Sequence, residues 1–277
     1  FRAGVNAGNS IASGGNYNTV VGDEAGTAIN TGDQNTFVGA FSGEATATTA
    51  DNTALGLSAL RNNVGSYNTA LGSQALRTSG DTTYNTAVGY KAGYLVSTGI
   101  KNTLIGSLAG DALTDADFNV AVGFEALGAD TKGTGSVAVG RAALEAQNFT
   151  TATTTYNVAV GHHAGLAVTT GIQNTLIGGL AGDALTGSGF NGSGNRVAGA
   201  DQNVVVGYGA LTTDTKGGRN VAIGGNALSV QNFTTAEYTY NTAIGANAGS
   251  AIAAAGGHIP GRFNTLIGGL AGDNITT

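Results

Sequence analysis

A nine-residue pattern, Asn-(Thr/Val)-x-(Val/Ile/Leu)-Gly-x-x-Ala-(Gly/Leu), returns fourteen times along the chain, most often 17 residues after its last copy. A period of that length is the signature of a solenoid, in which each copy is one coil resting on its neighbours. The copies begin at Asn18, Asn35, Asn52, Asn68, Asn85, Asn102, Asn119, Ser136, Asn157, Asn174, Asn203, Asn220, Asn241 and Asn264. A residue repeated in every coil is architecture, and a residue that breaks the register is where chemistry is to be sought.

Composition narrows the class. With 48 Gly, one Pro and 10% charged residues in 277, the chain suits stacked β coils better than a globular domain. The glycines are periodic and alternate with aliphatic residues, which argues against disorder. No apolar run is long enough for a membrane span. Absence of Cys excludes a disulfide framework and a thiolate metal site. Four Lys and seven Arg, unclustered, on a chain of net charge -6 give no electrostatic footprint for nucleic acid. Residues 1–8 match the second half of a repeat, with Gly4 and Ala7 in its Gly and Ala positions, and Met is absent, so the sequence reads as a piece of something longer.

Within a copy such as residues 84–93, the second and fourth positions (Thr86, Val88) share one strand face and the third (Ala87) takes the other. The fourth is always Val, Ile or Leu, so that face is expected to look into the core, with the Thr or Val of the second position beside it. The third position is apolar too, and a strand apolar on both faces needs cover on both. Phe37, Leu104, Leu176 and Leu266, its largest members, are therefore the expected interface with another chain. The fifth-position Gly, present in every copy, implies a positive φ or a backbone approach too close for a Cβ. The leading Asn is expected to stack on its equivalents as an internal ladder.

A longer rhythm overlies the repeat. The ninth position runs Gly, Leu, Leu, Gly, starting at the copies led by Asn35, Asn102 and Asn174, and the large third-position residue opens each set. The expected organisation is one solenoid domain over residues 1–277, with four-coil blocks at 35–101, 102–173 and 174–263 of 67, 72 and 90 residues. The growth lies in loops, where variation is tolerated.

The units at 135–140 (GSVAVG), YNTAVG, FNVAVG and RNVAIG resemble the Asn-Ser-Val-Ala-Ile-Gly repeat of trimeric autotransporter adhesin heads, over nearly the whole chain. The resemblance implies a left-handed parallel β-roll, three chains side by side, and a surface that binds host matrix or cells. Similar repeats look like the shafts of phage tail fibres. The chain departs from the adhesin pattern in its 17-residue coil, in Thr at the second position, and in lacking a stalk, coiled coil or anchor. The expected fold is thus all-β, a parallel β-roll or β-solenoid of about 14–15 coils, as a side-by-side homotrimer.

No catalytic constellation emerges. His162 and His163 fill variable positions of one coil and, as strand neighbours, are expected to point apart. Residues 187–192 (GSGFNG) match a phosphate-loop pattern on paper but precede no helix. Asp111, Asp183 and Asp273 lack the alternating carboxylates of a calcium site. Neither metal nor cofactor is expected.

The insertions at 147–157 (QNFTTATTTYN) and 231–241 (QNFTTAEYTYN) occupy equivalent places in two blocks. Phe149, Tyr156, Phe233, Tyr238 and Tyr240, with His258 and Arg262 of a later loop, are the candidate recognition residues. They suit protein or glycan binding, or else they cover a coil corner or a chain interface. Asn148, Asn191, Asn232 and Asn274 fit the glycosylation pattern.

The function expected is a non-enzymatic structural or adhesive fibre segment at a cell or virion surface or outside the cell. Alternatives are a subunit of a self-assembling filament, a tail-fibre shaft, and an ice-binding solenoid. The last is disfavoured because the recurrent Thr shares the presumed core face.

Overall fold

The structure is a computed structural model, and it describes residues 2–78, 80–187, 199–250, 252 and 261–273. These residues form an all-β parallel solenoid of about 13 coils. The chain divides into two compact units, Phe1–Thr134 with Thr150–Ala152, and Gly135–Phe149 with Thr153–Thr277. In the first lie β1 (Arg2–Ala3), β2 (Thr19–Val21), β3 (Thr36–Val38), β4 (Thr53–Leu55), β5 (Thr69–Leu71), β6 (Thr86–Val88), β7 (Thr103–Ile105), β8 (Val120–Val122) and β9 (Gly133–Thr134). The second holds β10 (Val137–Val139), β11 (Thr153–Thr154), β12 (Val158–Val160), β13 (Thr175–Ile177), β14 (Val204–Val206), β15 (Gly217–Gly218), β16 (Val221–Ile223), β17 (Glu237–Tyr238), β18 (Thr242–Ile244) and β19 (Thr265–Ile267).

Equivalent positions pair coil to coil. Thr86, Ala87 and Val88 of β6 face Thr103, Leu104 and Ile105 of β7 in parallel register. β12 and β13 pair the same way through Ala159 and Leu176. Each three-residue strand ends at the fifth-position Gly, and both reasons expected for that Gly hold. At Gly89 φ is 137°, and a Cβ would lie 2.4 Å from the Gly106 carbonyl oxygen of the next coil.

The leading Asn residues form the expected ladder. Asn85 Nδ2 donates to Asn68 Oδ1 (3.3 Å) and to the Gly99 carbonyl (2.9 Å), and Asn102 Nδ2 donates in turn to Asn85 Oδ1 (3.1 Å). Buried amides are affordable only when paired in this way. Each of the two coils of 21 residues adds a Gln to the ladder. Gln147 Nε2 donates to Ser136 Oγ, and its Oε1 accepts from Asn157 Nδ2 (2.8 Å), while Gln231 Oε1 accepts from Asn241 Nδ2 (2.6 Å).

The two strand faces are the reverse of the expectation. Third-position residues point into the coil: Ala87, Phe37, Leu104 and Leu176 are fully buried, and Leu266 is half-buried. Second- and fourth-position residues point out, and Leu55, Ile105 and Ile177 are 48%, 39% and 39% exposed. The candidate chain-interface residues are therefore core within one chain. The reason is strand alternation: Asn85 and Ala87 lie two residues apart, so an inward Asn carries the third position inward with it.

That geometry also explains the four-coil rhythm. A Cβ at Gly110 would lie 2.8 Å from Leu104 Cδ2, and one at Gly93 of the preceding coil would lie 2.7 Å from Leu104 Cδ1. Gly165 and Gly182 stand in the same relation to Leu176, at 2.6 and 2.9 Å. Where the third position shrinks to Ala70 or Ala121, Leu76 or Leu127 fills the ninth position and is fully buried. The rhythm keeps core volume constant, as close packing demands.

Candidate functional site

Each unit carries an outward sheet face of two columns, second-position Thr or Val and fourth-position Val, Ile or Leu, with no charged residue in either. In the first unit the second-position column is Thr19, Thr36, Thr53, Thr69, Thr86, Thr103 and Val120; in the second, Val137, Val158, Val204 and Val221 make it more apolar. The residue before each Asn flanks this face in a left-handed conformation, as at Tyr67 (φ 62°), Tyr84 (φ 60°) and Phe118 (φ 58°). These three are 50%, 55% and 52% exposed, and Tyr67 stacks on Tyr84 at 4.9 Å between ring centroids.

The insertions divide into plugs and display. Phe149 and Phe233 are buried and serve the coil interior, not recognition. Phe233 N donates to Asp214 Oδ1 (2.9 Å), whose carboxylate also accepts from Gly217 N and Gln231 Nε2. Burial pushes the Asp214 carboxyl above its ordinary range despite those hydrogen bonds. Tyr156 is 62% exposed and stands apart from the other candidates.

Tyr238, Tyr240 and Arg262 come together. The parallel pairing of β15 with β17 sets Tyr238 beside Gly218. Arg219 lies over the Tyr238 ring, 3.8 Å from its centroid, and 5.4 Å from that of Tyr240. Tyr240 packs edgewise on Tyr238 (6.2 Å) and stacks on Phe263 (5.4 Å). Arg262 pairs with Glu237. Arg219, Glu237 and Phe263 are the members that sequence reasoning missed. His258 lies outside the described residues, as do Asn191 and Asn274, whereas Asn148 and Asn232 are exposed.

The histidines depart from expectation. They sit in a turn, not a strand, so their rings stack at 3.8 Å, and both accept from Arg141 Nη1. Desolvation, followed by the charges of His162 and Arg141, lowers the His163 pKa. Asp183 Oδ1 accepts from Thr212 Oγ1 (2.6 Å), and burial raises the Asp111 carboxyl. Among the described residues no three His, Cys, Asp or Glu side chains gather to hold a metal ion, and no helix is long and apolar enough to cross a membrane.

The chain matches no protein-family model, and no curated protein or solved structure matches it. The β-solenoid itself defines a class, a repeat protein consistent with a fibre-like structural segment.

Proposed function

We propose that the chain is a non-enzymatic structural and adhesive fibre segment, working outside the cell or on a cell or virion surface, whose outward sheet face packs against further copies of itself in a side-by-side homotrimer. The observation that carries this reading is the absence of charge from both columns of that face, together with the unbroken Val, Ile or Leu of its fourth-position column. In the first unit alone, eight strands at a spacing of about 4.8 Å make it about 34 Å long. Three-residue strands make it about 10 Å wide, roughly 340 Å², so a stable complex, to which each partner contributes about 800 Å², would also draw on the flanking residues, among them Tyr67, Tyr84 and Phe118 as well as Asp51 and Lys101. Light scattering of the purified chain tests the proposal. A uniform trimer is expected, polymers of indefinite length would make it a filament subunit, and a monomer would overturn it.

A specific observation favours a second reading. Thr19, Thr36, Thr53, Thr69, Thr86 and Thr103 point outward from consecutive, in-register coils. A flat array of hydroxyls and methyls can order water at a crystal surface, so ice binding regains the support that a buried Thr would deny it. Thermal hysteresis from a monomeric sample would select this reading over the first.

A further inference from the structure

We propose that the cluster around Arg219, Tyr238 and Tyr240 is a binding site for a negatively charged saccharide; the inference rests on the adhesive reading and supplies its ligand class.

The duplicated insertions provide an internal control. Residues 147–157 and 231–241 share Gln147 and Gln231 in the ladder, the buried Phe149 and Phe233, and Thr155 and Thr239 beside the ladder. These shared residues do the folding. Within the insertions only Thr153 and Thr154 change, to Glu237 and Tyr238; among the differences in the flanking coils, Arg219 stands for Gly135, and Arg262 and Phe263 for Ile172 and Gln173. All five substituted residues meet in the one cluster. A coil closes without them at the sibling position, so the fold does not require them.

Their chemistry is that of anion recognition. Arg219 Nε donates to Gln202 Oε1 (2.8 Å) and Nη1 donates to the Tyr240 hydroxyl, which fixes the guanidinium and leaves Nη2 for an incoming group. Among the described residues no carboxylate pairs with Arg219; Glu237 is taken by Arg262. Lys216 is exposed one residue before β15. A fixed guanidinium matches the planar oxygens of a carboxylate, or two oxygens of a sulfate. Exposed aromatic surface lies alongside, with Tyr240 41% and Phe263 67% accessible, and offers a sugar ring an apolar wall next to a polar edge. A few residues make a weak site, and repetition of it across associated copies raises the working affinity.

The test is binding of the whole chain to heparin oligosaccharide, polygalacturonate oligosaccharide, neutral dextran and a DNA duplex at about 0.15 M salt, with solution mass measured in parallel. Wild type is expected to bind one or both acidic saccharides, the stronger revealing whether sulfate or carboxylate is preferred. R219A should weaken binding at least tenfold, and R219K should recover only part. The triple variant R219G/E237T/Y238T, which installs the sibling residues, should keep its melting curve and lose binding. R77A, which removes an arginine lying on Tyr94 in the first unit, should leave binding unchanged. Equal binding to dextran, DNA binding as tight as saccharide binding, retention of binding in the triple variant, or no binding by wild type would each overturn the proposal. A monomeric mass with saccharide binding intact would sink the assembly reading and leave this one standing.

Discussion

Leu104 occupies the space that a side chain at Gly110 would claim: a Cβ there would come within 2.8 Å of Leu104 Cδ2. The pair is one half of an exchange, since neighbouring coils hold Ala121 with Leu127 in the same two places. Replacing Leu104 with Ala should cost about 2–5 kcal/mol through the cavity it leaves. The double variant L104A/G110L should regain only part of that: Leu76 and Leu127 show that Leu tolerates the left-handed backbone there (φ 47° and 54°), but a Cβ at Gly110 would still come within 2.8 Å of Leu113 Cδ1. G110L alone should be worse than either. Urea denaturation of the three variants checks the order.

Outward and inward positions of one strand should answer differently to charge. I105D with I177D places carboxylates on the exposed face, so the solution mass should fall while circular dichroism and melting change little. L104D or L176D buries an unpaired carboxylate and should unfold the coils around it. A mass unaltered by the outward pair would remove self-packing through this face.

Backbone contact between coils sets the tolerance of each Gly. G89A forces a Cβ to 2.4 Å from the Gly106 carbonyl oxygen at a φ of 137°, so it should lower the melting temperature markedly. G179A meets nothing nearer than the Tyr208 ring at 3.4 Å and should be close to neutral. Thermal melts of the two single variants give the comparison.

Asp214 makes stability depend on pH. Its carboxyl is raised by burial above the 3.8 of an unfolded Asp, so the folded state holds the proton more tightly. Its contribution is therefore complete below pH 3.8 and declines as pH rises through the folded value. D214N should flatten that part of the curve. Urea midpoints followed from pH 4 upward in both proteins would show it, and identical slopes would refute the assignment.

Period, fold class, the corner Gly and the Asn ladder were all legible in the sequence because each recurs in every coil. Face polarity was legible too, but in a weaker sign. Val, Ile or Leu at the fourth position suggests burial when hydrophobicity alone is read, whereas Asn85, two residues before Ala87, reports the opposite through alternation. The narrow interior settles it: with Asn lining one wall and Gly the corner, each coil fills the core from its third and ninth positions, Leu104 beside Gly110 or Ala121 beside Leu127, and the fourth-position aliphatics are left outside. Phe149 and Phe233 resembled display residues because an insertion is assumed to lie on the surface. Tyr238, Tyr240 and Arg262 were legible as loop residues, whereas Arg219, Glu237 and Phe263 were not, since the cluster gathers its members from three coils and only the fold brings them together.

The Asn ladder does not register sequence distance. Asn203 Nδ2 reaches Asn174 Oδ1 at 3.1 Å across 29 residues, and Asn220 reaches Asn203 at the same distance across 17. Each rung specifies only where a coil must begin again, so the interval between rungs is open to splicing. Lengthening a loop costs only about 0.6 kcal/mol per doubling. A foreign peptide grafted between Gly187 and Gly199 would thus leave the coils on either side in register, and the chain becomes a carrier whose cargo sites are the intervals longer than 17 residues.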